Sequence, residues 1–240
     1  MFCKSFAAPS ATAWRTYGGP SGRVATVLTP LDPHRPISRV RGRRLPHWAQ
    51  EGSAVFFTFR LADALPAVLL RRWERWRHRL LLRHGVDPQA IQWQNRLRDA
   101  SPEAASRFQR RRSLAMLAAM DRGHGACVLR NPWASKVVLE ALLHHNGSKL
   151  DVAAAVVMPN HAHGVAAARP GHDLRQTLTQ ARRYAAGRIN TRLGRSGSLW
   201  QREGFDRLIR NAEAYERALR YIRDNPKRLP AGSFRLWEAP

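Results

Sequence analysis

Two histidines separated by a single residue, His161 and His163, are the side chains in this sequence best suited to bind a metal ion. They lie in an apolar stretch typical of a β-strand, where residues i and i+2 point to the same face, roughly 7 Å apart. Two neutral imidazoles at that spacing can chelate one divalent ion and leave part of its coordination sphere open. Because such a metal can polarise a phosphoryl oxygen, the pair predicts a catalytic metal site if a nucleophile and a further ligand lie elsewhere.

A tyrosine and an asparagine near the end of the chain can supply both groups. Tyr221 and Asn225 are four residues apart, in and just after a segment (213–224) whose pattern predicts a helix stopped by Pro226. Residues at i and i+4 share one helical face. A phenol able to attack phosphorus and an amide oxygen able to complete a metal site would therefore face the same way. Asn225 could instead simply cap the end of the helix.

The elements that must position these residues are strands mixed with helices. The patterns predict strands over 54–59, 127–129, 150–157 and 161–167, helices over 65–84, 101–120, 133–145, 174–193 and 213–224, and a linker over 86–100. A tight turn at 158–160 would join the third and fourth strands. This order favours an α+β fold in which helices cover one face of an antiparallel sheet. Residues 1–38 are expected to form a flexible basic arm, followed by a single catalytic domain over 39–240 with a helical insert at about 65–121.

The charge of the chain is far from balanced. There are 41 Lys and Arg residues against 17 Asp and Glu, a formal net charge of +24 with a sequence pI near 11.7. Only four of the basic residues are lysine, so 41 minus 4 leaves 37 arginines. This composition favours a polyanionic partner, and nucleic acid is the first candidate.

The remaining composition excludes several other classes of protein. The two cysteines, Cys3 and Cys127, form no Cys-x-x-Cys unit, so neither structural zinc nor a disulfide framework is expected. No apolar run approaches the roughly 20 residues of a membrane span. We therefore expect a soluble cytoplasmic protein, associated with the nucleoid and with no membrane partner.

Several motifs, in a consistent order along the chain, point to a known family. They are residues 43–48 (RRLPHW), 157–163 (VMPNHAH), 197–203 (GSLWQRE), 205–207 (FDR), 220–226 (RYIRDNP) and 234–237 (FRLW). Together they resemble the single-tyrosine HUH transposases of the REP-associated type, in which HUH denotes two histidines flanking an apolar residue. The resemblance covers about residues 41–240.

This resemblance implies a fold, a metal and a reaction. The fold would be a ferredoxin-like sheet with the two histidines on a strand and the nucleophilic tyrosine on a late helix. His161, His163 and Asn225 would bind Mg²⁺ or Mn²⁺, and Tyr221 would attack single-stranded DNA near an imperfect hairpin. The attack would conserve one ester bond as a 5′-phosphotyrosine, which a free 3′-OH could later reverse without ATP.

Other interpretations of the same residues stay open. The chain could be a domesticated, catalytically idle protein that binds DNA hairpins, or a hydrolytic nuclease in which water attacks and Tyr221 only packs. Tyr184 and Tyr215 are nearby tyrosines expected to pack or to contact DNA instead. The sequence does not distinguish a monomer from a homodimer.

Overall fold

The computed structural model describes residues 38–41, 46–49, 52–202 and 204–240. The predicted flexible arm lies outside the described residues except for Ser38. The strands are β1 (Ser38–Arg41), β2 (Pro46–Ala49), β3 (Val55–Arg60), β4 (Leu150–Val157), β5 (His161–Ala168), β6 (Phe205–Leu208) and β7 (Arg235–Glu238). The helices are α1 (Ala67–Arg83), α2 (Trp93–Ala100), α3 (Pro102–Asp121), α4 (Pro132–Leu143), α5 (Leu174–Arg192) and α6 (Ala212–Asp224).

Five strands form one antiparallel sheet in the order β6-β3-β5-β4-β7, and β1 pairs with β2 in a separate ribbon. Leaving β7 aside, the succession β3, helices, β4, β5, α5, β6 is a βαββαβ unit. Its fourth strand lies beside its first, and its third strand lies between the first and the second. This is the ferredoxin-like arrangement, so the predicted α+β class and the antiparallel sheet are confirmed.

Helices cover both faces of the sheet, and the expectation that they cover only one was wrong. On one face Phe57 packs in a core with residues of α4 and α5. On the other face Phe56, Val156 and Val165 pack against α6. The physical reason lies in β5, where all eight residues are buried, so neither face of the central strands can meet water.

Other elements also depart from the expected pattern. Residues 127–129 form no strand: Cys127 has φ of 49° and begins a turn of 3-10 helix at Val128–Arg130. The expected linker over 86–100 contains α2, and the strands β6 and β7 were not predicted. Each of those two strands has four residues, too few to show a period of two.

Both ends of α6 are marked by asparagines. The Asn211 side chain caps the first turn by accepting a hydrogen bond of 2.8 Å from the backbone N–H of Ala214. The helix ends at Asp224, and Asn225 opens a 3-10 turn that contains Pro226. Tyr221 therefore lies in the last turn of α6, with Asn225 directly after it.

The helices α1, α2 and α3 lie between β3 and α4, where a helical insert was predicted. The division of the chain into an arm and a single catalytic domain remains a prediction. Within the described residues, no helix has both the length and the apolar character needed to cross a bilayer.

Candidate active site

The strand β5 presents both predicted ligands on the face that α6 covers. His161 and His163 are both fully buried, and their ring centroids are 4.6 Å apart. In the pairing of β3 with β5, Arg60 lies opposite His161 and Thr58 lies opposite His163. The two imidazoles thus sit side by side at the end of the sheet where β3 stops.

One nitrogen of each imidazole is held by a neighbouring side chain. Nδ1 of His161 is 2.7 Å from Oδ1 of Asn160, whose amide nitrogen donates to the carbonyl of His124. Because that donation fixes the orientation of the amide, Nδ1 of His161 is the donor. Nδ1 of His163 is 2.8 Å from the Thr58 hydroxyl. Contacts of this kind orient the rings of metal-binding histidines.

The other nitrogen of each ring faces the candidate nucleophile or has no partner. Nε2 of His163 is 3.4 Å from the hydroxyl oxygen of Tyr221. Nε2 of His161 is buried and has no hydrogen-bond partner among the described residues. Since Nδ1 of His161 carries the proton, the lone pair on Nε2 is available to a ligand.

Both imidazoles are neutral at ordinary pH. Burial, together with a smaller effect of the positive charge of Arg60, lowers the pKa of His161 to about 3. Burial also lowers the pKa of His163 well below its usual value, with additional contributions from His161 and Arg60. A neutral imidazole is the form that binds a metal.

The phenol of Tyr221 is packed into this site rather than exposed on the helix. Its ring meets that of His163 edge to face at a centroid distance of 5.2 Å, and it contacts Phe56 similarly at 5.9 Å. Burial raises the pKa of the Tyr221 phenol well above its usual value, and the Asp121 carboxylate adds to the rise. The phenol is therefore protonated in the protein alone.

The Asn225 side chain is close to the phenol and lacks partners of its own. Both its amide nitrogen and its amide oxygen are buried with no hydrogen-bond partner in the described part of the chain. The amide is near enough to Tyr221 to offset part of the rise in the phenol pKa, although no hydrogen bond of normal geometry joins them. Buried polar groups usually have hydrogen-bond partners, so the two unpaired atoms indicate that the Asn225 amide is positioned to bind a ligand.

The potential ligand atoms of this site suit a divalent metal ion. The available groups are a buried imidazole nitrogen with a free lone pair, a second imidazole nitrogen facing the phenol, and an orphaned amide oxygen. Imidazole and amide oxygen are both known ligands of such ions. No cluster of three His, Cys, Asp or Glu side chains able to hold a metal occurs within the described ranges. The expected set of two histidines and an asparagine has a different composition.

Comparison with solved structures finds a similarity in fold. The chain is similar to the solved structure of a REP-associated tyrosine transposase bound to a REP hairpin. The sequence identity is 15% and the TM-score is 0.38, and the match covers 75% of this chain and 70% of that chain. No protein-family model and no curated protein matches the chain. A similarity of this extent leaves the function to be argued from the site itself.

The structure brings together all four of the predicted site residues. It also adds three that the sequence analysis missed: Thr58 and Asn160, which hold the imidazoles, and Phe56, which stacks on His163 at 5.2 Å. Thr58 and Phe56 lie two residues apart on β3, an alternation visible in the sequence. Only the pairing of β3 with β5 shows that these residues face the histidines.

The other two tyrosines considered differ in burial. Tyr215 is buried in the core beneath α6, and Tyr184 on α5 is 59% exposed.

Proposed function

We propose that this chain is a metal-dependent DNA strand transferase that nicks and rejoins single-stranded DNA at hairpin-forming repeats. The observation that carries the proposal is the position of the Tyr221 hydroxyl, 3.4 Å from a neutral, buried imidazole nitrogen of His163. Buried polar atoms of His161 and Asn225 near the phenol have no hydrogen-bond partners among the described residues. Such atoms are unexpected around a tyrosine whose only role is packing.

The reaction would transfer a phosphoryl group twice. The Tyr221 oxygen would form a bond to the scissile phosphorus as the bond to the 3′ oxygen breaks, and the phenol proton would pass to the leaving oxygen to give a 3′-OH. A free 3′-OH later attacks the phosphotyrosine and restores the phenol, so that the number of ester bonds is conserved. A bound Mg²⁺ or Mn²⁺, held by His161, His163 and Asn225, would polarise the phosphate and favour the phenolate.

The contribution of the protein itself is orientation and exclusion of water. Phe56 packs on both His163 and Tyr221, which fixes the phenol relative to the imidazole. Burial makes the free phenol a poor nucleophile because its pKa is raised. The tyrosine is therefore expected to react only when positive charge and a phosphate are both in place.

The net charge supports nucleic acid as the substrate. A protein with a formal charge of +24 attracts phosphates strongly. Its affinity for single-stranded DNA is expected to fall steeply as salt rises, because counterions are released on binding.

The test is the formation of a covalent adduct. Purified protein is incubated with Mn²⁺ or Mg²⁺ and a labelled single-stranded oligonucleotide that contains a hairpin, and the products are separated under denaturing conditions. Adduct is expected with the natural protein and with Tyr184→Phe, whose phenol is exposed on α5. It should be abolished in Tyr221→Phe while DNA binding persists. Undiminished adduct in Tyr221→Phe would disprove the assignment of the nucleophile.

The same experiment separates the two alternatives. A free 5′-phosphate product without a protein-linked intermediate would indicate a hydrolytic nuclease. Hairpin binding that is unaffected by a chelator, with no cleavage under either metal, would indicate an idle DNA-binding protein.

A further inference from the structure

Three arginines from different elements lie near one another at the end of β3, and one of them, Arg60, lies beside His161. Arg60 is the last residue of β3 and lies opposite His161 in the pairing of β3 with β5. Side chains opposite each other on neighbouring strands share a face, with Cβ atoms about 5 Å apart. Arg112 of α3 and Arg182 of α5 lie close enough to Arg60 to repel its charge.

The hydrogen-bonding capacity of Arg60 is almost unused. One terminal nitrogen donates to the thioether sulfur of Met116 at 3.6 Å, a weak acceptor. Its Nε is buried and has no hydrogen-bond partner in the described part of the chain. The charge is retained nevertheless, because burial and the two arginines lower the pKa of Arg60 only to about 10.

Arg182 is in a similar state. It stacks over the ring of Phe59 at 5.1 Å and donates to the carbonyl of Gln201 at 2.6 Å, which fixes its position. Its Nε is likewise buried without a partner among the described residues. No carboxylate of the described ranges forms an ion pair with Arg60 or Arg182.

Arg60 and Arg182 are partly buried cations that no carboxylate of the described residues pairs with, which is unfavourable in the protein alone. Removing a guanidinium from water has a free-energy cost that only a well-placed partner offsets. The planar fork of arginine matches the geometry of a phosphate, to which it can donate two parallel hydrogen bonds. An arriving phosphate would satisfy the unused donors and cancel the repulsion.

We propose that Arg60 and Arg182, together with Arg112, form a cradle for one backbone phosphodiester of the bound strand, beside His161. This inference rests on the proposed function for the identity of the strand as DNA. The three residues are binding residues: they place the phosphodiester next to the imidazoles and Tyr221. The cradle itself requires only an anion of phosphate geometry.

The decisive variant is Arg60→Met. It removes the charge but keeps an unbranched side chain able to pack on Met116. The control is Arg188→Met, which removes one exposed arginine from α5 and so changes the net charge equally. Comparing the two variants cancels the general effect of charge on DNA binding.

Two measurements are made with EDTA present, so that neither depends on cleavage. The first is the rise in melting temperature caused by inorganic phosphate, and the second is affinity for a single-stranded oligonucleotide. In the natural protein and in Arg188→Met, phosphate should raise the melting temperature. In Arg60→Met that rise should be lost, and oligonucleotide affinity should fall by roughly ten- to a hundredfold, as expected for hydrogen bonds to charged groups. Without ligand, Arg60→Met should be at least as stable as the natural protein.

Equal responses of Arg60→Met and Arg188→Met to phosphate and to oligonucleotide would overturn the cradle. If Arg60→Met does not fold, Arg182→Lys takes its place, because a lysine keeps the charge but loses the fork; unchanged binding there would also overturn it. The two proposals can fail separately. A natural protein that forms no phosphotyrosine adduct, yet loses its phosphate response in Arg60→Met, would refute strand transfer and leave the cradle standing.

Discussion

The buried, neutral histidines predict that the metal-free protein loses stability as the pH falls. The pKa of His161 is about 3 in the folded protein, against an ordinary value of 6.5. Between these two values the unfolded chain holds a proton on this residue that the folded protein does not. The free energy of unfolding therefore rises with pH across the window, by about 1.4 kcal/mol for each pH unit and each such proton.

The expected magnitude follows from the width of that window. For His161 alone, lowering the pH from 6.5 to about 5 should remove about 2 kcal/mol of stability, and the full window corresponds to about 5 kcal/mol. The pKa of His163 is shifted in the same direction, so its contribution adds to that of His161. A typical domain has about 5–15 kcal/mol of stability, so the effect is large enough to measure.

The assay is urea unfolding in EDTA, followed by the fluorescence of the eight tryptophans, at several values between about pH 7.5 and about pH 5. The control is His161→Gln, which cannot titrate at this position. Subtracting its pH dependence from that of the natural protein removes the contribution of carboxylates and other histidines. A difference between the two curves that does not change with pH would mean that His161 titrates normally when folded. The argument that it is held ready for a metal would then be wrong.

Three further substitutions test the local geometry. Gly164→Ala would place a Cβ 2.3 Å from a ring carbon of Phe57, so about 1–3 kcal/mol of stability should be lost. Adding Phe57→Leu should recover part of this loss, which a double-mutant cycle by urea unfolding would measure. Asn160→Ala leaves the ring N–H of His161 unsatisfied, so Mn²⁺ affinity measured by calorimetry should fall by roughly 10- to 100-fold; an unchanged affinity would show that this contact does not orient the ring. Asn225→Ala should weaken Mn²⁺ binding without loss of melting temperature, because it removes two buried atoms that have no partners in the described residues; a large destabilisation would indicate a structural cap instead.

The sequence predicts those parts of the fold that have long, regular patterns. The strands at β3, β4 and β5 and the helices α1, α3, α4, α5 and α6 lie within a few residues of the expected ranges. The same holds for one part of the site, since the strand period places His161 and His163 on one face of β5, with ring centroids 4.6 Å apart. Local spacing determines these results, whereas the approach of Tyr221 to His163 was expected only from the family resemblance.

What the sequence did not predict depends on contacts between distant segments. The apolar runs of β4 and β5 were consistent with burial on both faces, but only the packing of the two cores shows that α6 and α4 lie on opposite sides of the sheet. Likewise, nothing local indicates that Arg60 faces His161 or that Asn160 binds its ring. Those relations follow from the register of β3 with β5 and from the turn before His161.

The charge of Arg60 has two opposing effects on metal binding at His161. Arg60 helps to keep His161 neutral, which leaves its lone pair free, yet the same charge repels a divalent cation. A phosphodiester bound by Arg60 would cancel that repulsion, so metal and DNA should bind with positive coupling, and thermodynamic linkage makes the effect reciprocal.

In Tyr221→Phe, where cleavage is blocked, oligonucleotide should tighten Mn²⁺ binding by roughly 5- to 100-fold after correction for Mn²⁺ bound by the DNA alone. Adding Arg60→Met should tighten Mn²⁺ binding without DNA and remove most of the coupling. Equal Mn²⁺ affinity with and without oligonucleotide would refute this reasoning, because two ligands that share one electrostatic environment cannot bind independently of each other.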